Sequence, residues 1–222
     1  MTRKHAAPDM VGEPPRPLIC IVDDDPSVRA ALSSLLRSVG HEVAVFDSAA
    51  AFLNDRPKAT VGCLVVDIRL PGISGLQFQT QLSRAGSGIP IVFITGHGDV
   101  EMSVKAMKGG AMDFLEKPFR DQDMLDAVEA ALERDRQKRR SDHAALAVRS
   151  AFLELTPREK EVMALVTTGL MNKQIAGKIG LSEITVKVHR GNLMRKMGAR
   201  SVAELVRMAD LLATQSRSAG GT

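Results

Sequence analysis

At 222 residues, with 44% hydrophobic residues and a formal net charge of +4, the chain has the length for one large domain or two small ones and enough apolar content for a core. No apolar run approaches the ~18 residues of a membrane span, and the opening MTRKHAAPDMVGEPPRP lacks the apolar centre of a secretory signal, so no membrane association and a cytoplasmic location are expected. Charge is unevenly placed: residues 1–15 are neutral, 16–135 carry −5 and 136–222 carry +9, which predicts two modules with different partners, the basic one suited to nucleic acid or another anionic surface.

Pro8, Pro14, Pro15 and Pro17 mark an extended, mobile leader over residues 1–16. PLICIVDD then reads as an apolar strand ending in acids. DDPSVRAALSSLLRSVG has helical spacing at Val28, Leu32, Leu35, Leu36 and Val39, with Asp25 as N-cap, Pro26 at the first helical position and Gly40 as the stop. EVAVF, CLVVDI, IPIVFIT and MDFLEKP supply four more strands, and helical segments fall near residues 48–54, 75–84, 100–108 and 121–134. Five such repeats predict parallel β/α units in a sheet covered on both faces. Cys20 and Cys63 lie in strand-like runs and read as buried reduced thiols; Met102, Val104, Met107, Leu125 and Val128 read as core rather than interface.

LVVDIRLPGISG, residues 64–75, ends a buried strand on a carboxylate, which is costly unless that group is paired or binds a cation. In open parallel sheets functional groups gather at the carboxyl ends of the strands. Asp23 and Asp24 end the first strand, Asp67 the third and Thr95 the fourth, and Lys117 follows the fifth. Converging acids require a cation, and oxygen donors at this density suit Mg²⁺, while a hydroxyl and an ammonium beside them would stabilise phosphoryl oxygens at a nucleophilic aspartate.

VDDDPSVR, VVDIRLPGISG, FITGHGD and FLEKPF, in this order and at these spacings, resemble the receiver domain of two-component response regulators. The resemblance implies a flavodoxin-like five-stranded parallel sheet of order 2-1-3-4-5 over residues 17–134. It also implies Asp67 as phospho-acceptor, Asp23, Asp24, Asp67 and the backbone carbonyl of Arg69 as Mg²⁺ ligands, Thr95 and Lys117 as phosphoryl contacts, a cis Lys117-Pro118 bond and Phe114 as the aromatic switch. Relatives dimerise through the face made by the helix after Thr95, the strand MDFLEKP and the helix that follows. Gly72 departs from the acidic residue several relatives carry there, Phe114 lacks the hydroxyl of a tyrosine, and Arg69 and His97 are expected near the phosphate, setting its lifetime.

ERDRQKRRSDHAALAVR is too polar to pack on one apolar stripe; it either extends the preceding helix or tethers the modules, and residues 135–151 read as a charged linker. In LTPREKEV, Thr156 is an N-cap, Pro157 takes the first helical position and Glu159 completes a capping box, with Val162, Leu165 and Val166 inside and Gly169 as the stop. NKQIAGKIG reads as a second short helix, SEITVKVHRGNLMRKM as a third capped by Ser182, and SVAELVRMADLL as a fourth, over a domain of residues 152–214 followed by a flexible tail, 215–222. Ile184, Val186, Leu193 and Met197 are expected to form the buried stripe of the third helix, and His189 to pack or cap.

This block resembles the LuxR-type helix-turn-helix shared by the FixJ and NarL groups of regulators, which makes a small all-α, four-helix domain the expectation. By that resemblance Lys187, Val188 and Gly191 lie where relatives touch base edges, while Thr185, Arg190, Arg195, Lys196, Asn172 and Lys173 are phosphate-side candidates. Together the resemblances imply a FixJ-like transcriptional regulator. A sensor histidine kinase would phosphorylate it, its receivers would dimerise, and it would act on promoter DNA and RNA polymerase. Haloacid-dehalogenase-like phosphatases, which also use an aspartate nucleophile, generally place a second aspartate two residues after the first, where Arg69 stands here, so no enzyme is expected. A constitutive dimerisation module is disfavoured because all five chemical positions are present.

Overall fold

The computed structural model describes residues 17–96 and 100–219. The leader, His97 and the end of the tail lie outside the described residues. The chain divides into two units between Lys138 and Arg139.

The first unit alternates strands and helices: β1 (Leu18–Val22), α1 (Pro26–Ser38), β2 (Val43–Phe46), α2 (Ala49–Asn54), β3 (Val61–Asp67), α3 (Gly75–Arg84), β4 (Ile91–Thr95), α4 (Val100–Lys108), β5 (Asp113–Glu116) and α5, which begins at Asp121. The sheet is parallel throughout with order β2-β1-β3-β4-β5, as expected. β3 is buried along its whole length because apolar clusters cover both faces. Cys20 and Cys63 are buried free thiols facing opposite clusters, and burial pushes the Cys20 thiol up to about 12.

Caps fix where the helices start. The Asp25 side chain accepts the Ser27 and Val28 amides and Pro26 opens α1, while Ser74 and Gln77 form a capping box on α3. Three apolar positions differ from their expected burial. Val39 is the C-cap of α1 and 51% exposed, because the helix ends before a further turn can bring it inward. Val104 and Met107 lie on the solvent side of α4, whose fully buried residue is Ala106.

Helix α5 runs unbroken from Asp121 to Leu153, so residues 135–151 are helical. Arg, Lys, Gln, Ala and Leu are good helix formers, and propensity summed over such a run favours a helix even without an apolar stripe. The second unit adds α6 (Pro157–Val166), α7 (Asn172–Ile179), α8 (Glu183–Met197) and α9 (Val202–Ala219) around a core that includes Val162, Val166, Ile175, Val186, Leu193 and Leu205. Thr156 and Glu159 form the capping box of α6, and Gly180 ends α7 at φ +67°, a left-handed conformation that glycine adopts freely. No described helix is long and apolar enough to cross a membrane.

Candidate functional site

The carboxyl edge of the sheet gathers the ionisable residues of the first unit. Asp23 follows β1, Asp67 closes β3, Thr95 closes β4 and Lys117 follows β5. Asp23 and Thr95 are fully buried, and Asp67 is 8% exposed. One carboxylate oxygen from each of Asp23, Asp24 and Asp67 lies within 4.8 Å of the others.

Lys117 joins two of these acids. Its Nζ donates to Asp23 Oδ2 at 2.8 Å and to Asp67 Oδ2 at 3.0 Å. The other oxygens accept backbone amides, Asp23 Oδ1 from Asp25 at 2.8 Å and Asp67 Oδ1 from Arg69 at 2.9 Å. Burial raises the Asp23 pKa above the usual aspartate value against the pull of Lys117, and the Asp67 charge adds to that rise. Burial would lower Lys117, but its hydrogen bonds to Asp23 and Asp67 outweigh it and hold the ammonium above its ordinary value. One ammonium thus faces three carboxylates. Oxygen-only donors with excess negative charge fit a hard divalent cation such as Mg²⁺.

The turn after Asp67 depends on two glycines. Gly72 has φ +83°, and Gly75 donates its amide to the Ile68 carbonyl at 2.9 Å. A Cβ at Gly75 would lie 2.6 Å from the Asp67 carbonyl oxygen, so the close approach of α3 to the end of β3 needs a residue without one. On the β1 side, Arg29 Nη1 donates to the Asp23 carbonyl at 2.6 Å and secures the chain that carries the first two acids.

In the second unit, α7, the Gly180 turn and α8 form a helix-turn-helix. Ser182 caps α8 by accepting the Thr185 amide at 3.1 Å, and the two hydroxyls lie 2.8 Å apart. Val186, Leu193 and Met197 face the core, as expected, but Ile184 is 78% exposed. At about 100° per residue, position 184 lies roughly 200° around the helix from Val186, on the opposite side. Lys187, Val188, Gly191 and Arg195 share its exposed face, and a Cβ on Gly191 would meet open space. Lys173 on α7 is also exposed.

Arg195 Nη2 donates to Asn192 Oδ1 within α8 at 3.5 Å, and two of the basic candidates are tied to other segments of the unit. Arg190 Nη1 donates to Asn172 Oδ1 at 2.8 Å, linking α8 to α7. Lys196 Nζ donates to the buried Glu159 Oε2 at 2.7 Å and to the Glu154 carbonyl at 3.2 Å. This pairing and the Thr156 amide hold the Glu159 carboxyl below the usual glutamate range.

Residues 19–129 match the model of the response regulator receiver domain, and residues 153–209 match that of the bacterial regulatory proteins of the luxR family. Nodulation protein W of Bradyrhizobium diazoefficiens is 55% identical over 88% of this chain and 86% of its own length. The chain belongs to the LuxR-type two-component response regulators. The transcriptional regulatory protein FixJ of Azorhizobium caulinodans is 46% identical over 85% of this chain and 90% of its own. The solved structure of the response regulator StyR is similar at a TM-score of 0.78, with 50% identity over 88% of this chain and 98% of that one. The family is one of transcription factors rather than enzymes.

Around the acidic site of this regulator, the Thr95 carbonyl accepts the Lys117 amide at 2.7 Å, and the Lys117-Pro118 bond is cis. Phe114 is partly buried, paired in register with Phe93 and packed on the apolar cluster beside α3 and α4. Sequence reasoning did not single out Arg29 or the exposure of Ile184. Counting turns back from Val186 would have found the second; nothing in the local sequence signals the first.

Proposed function

We propose that this regulator is switched by phosphorylation of Asp67, with a receiver over residues 17–134 and a DNA-binding domain over 152–214. The observation that carries the proposal is the Lys117 ammonium bridging Asp23 and Asp67 beside Asp24. An Asp67 carboxylate oxygen attacks the phosphorus of a sensor histidine kinase's phosphohistidine, and the bond from phosphorus to the donor nitrogen breaks. The carboxylates of Asp23, Asp24 and Asp67 and the Arg69 carbonyl would hold Mg²⁺, which offsets the charge on the phosphoryl oxygens when bound. Lys117 and the Thr95 hydroxyl contact those oxygens.

Phosphorylation adds about two negative charges at one point. Thr95 is drawn toward them and Phe114 turns inward. The face built by α4, β5 and the first turns of α5 changes with them, and receivers pair through it. Val104 and Met107, exposed on α4, are available to that pairing. Two helix-turn-helix units then engage promoter DNA, where RNA polymerase is the further partner. Lys187, Val188 and Gly191 face bases, and Thr185, Arg195 and Lys173 face phosphates. Arg190 positions α8 through Asn172, and Lys196 is left out of the contact set because Glu159 holds it.

Intact-mass measurement with acetyl phosphate tests the switch. One phosphoryl group is expected on wild type with Mg²⁺, none with EDTA and none on Asp67→Ala, and light scattering of the same samples should show dimers only where the group is attached. Equal labelling of wild type and Asp67→Ala would defeat the assignment.

A further inference from the structure

Ile184 is the most exposed large hydrophobic side chain described in the second unit, at 78%, and Val188 one turn later is 57% exposed. An isoleucine there adds nothing to the core, and its branched Cβ lowers helix propensity slightly relative to alanine, so domain stability does not account for it. Its surroundings are cationic. Lys187 and Arg195 are exposed on the same face, and residues 136–222 carry a formal +9.

A basic face suits the phosphate-lined major groove, where the N-terminal residues of a recognition helix meet base edges. Among groups displayed in that groove, the C5-methyl of thymine is the apolar one. Positions 184 and 188 are four residues apart, so their side chains are neighbours on one stripe.

We propose that Ile184 is a specificity-determining residue that packs against a thymine C5-methyl, with Val188 extending the same apolar strip. This assignment rests on the DNA-binding role proposed above and deepens it. Lys187 lies beside the strip and supplies polar readout, so the half-site joins a methyl-bearing position to a hydrogen-bonding one.

The test starts from duplexes selected out of a randomised pool by the full chain with Mg²⁺ and acetyl phosphate. Each thymine of the selected half-site is replaced in turn by uracil, which removes only the methyl group. One replacement should weaken wild type about fourfold, the loss of one buried methyl. Ile184→Ala should bind the thymine duplex about fourfold more weakly and bind thymine and uracil duplexes alike, while Ile184→Val should keep the discrimination. Helical content and thermal midpoint of Ile184→Ala should match wild type, since the side chain lies outside the core. An Ile184→Ala protein that still discriminates at every thymine as wild type does would overturn the assignment. A selection that returns no preferred sequence would instead overturn the DNA-binding role, and this assignment with it.

Discussion

The acidic site of the receiver and the outer face of α8 solve opposite problems. At the first, the reactive groups are sunk into the protein: Asp23 is fully buried, Asp67 nearly so, and one lysine holds both. At the second, Ile184, Lys187, Val188 and Arg195 stand in solvent while the polar groups behind them are tied to each other. The phosphoryl transfer proposed for the first needs carboxylates placed to within fractions of an ångström, which a packed sheet edge supplies. The DNA reading proposed for the second needs a rigid helix whose contacting side chains stay exposed until the partner arrives.

The largest effect should come from Asp67→Ala, which is expected to abolish labelling by acetyl phosphate while leaving α6 to α9 folded. Loss of helical signal from that unit would break the comparison at its root. Lys117→Ala leaves buried Asp23 facing Asp67 without its counter-charge. It should cost about 3 kcal/mol of stability in EDTA by chemical denaturation, with part recovered on adding Mg²⁺. A loss too small to resolve would show that the site does not depend on that bridge.

Glu159→Gln keeps an acceptor for the Thr156 amide but removes the charge paired with Lys196, and should cost about 1–2 kcal/mol at neutral pH, the order of a charge-assisted hydrogen bond. Because the folded carboxyl sits below its ordinary value of 4.5, chiefly through Lys196, its stabilisation is full above that value and is lost as pH falls through the depressed native one. The gap between wild type and Glu159→Gln should therefore close across that acidic window. A gap unchanged across it would contradict the pairing.

The smallest effect sharpens the contrast between neighbours on α8. Arg195→Ala should reduce the slope of log affinity against log salt by about 0.9, one phosphate contact. Lys196→Met should leave that slope alone and lower thermal stability, because its ammonium is held by Glu159. Equal slope changes for the two would place both side chains on DNA.

Features set by neighbours in sequence were legible before any coordinates. The Asp25, Thr156 and Ser182 caps depend on residues two or three positions away, and the five strands announce themselves as apolar runs. The acids were legible as strand ends. That Lys117 would bridge Asp23 and Asp67 needed a fold in which positions 94 and 50 residues apart meet. That Lys196 would pair with Glu159 was not legible because a long side chain at a basic helix end has two directions open to it, and the buried glutamate lies 37 residues away in sequence. The helical course of residues 135–151 stood as one of two alternatives for another reason: helix propensity acts without the apolar stripe used to recognise it.

The central claim is that phosphate at Asp67 is felt at the face of α8. Measuring the affinity of wild type and Asp67→Ala for the selected duplex, with and without acetyl phosphate and Mg²⁺, tests it most directly. Wild type should bind at least tenfold more tightly when phosphorylated, and Asp67→Ala should be indifferent to the additions. Equal affinity of phosphorylated and unphosphorylated wild type would contradict it.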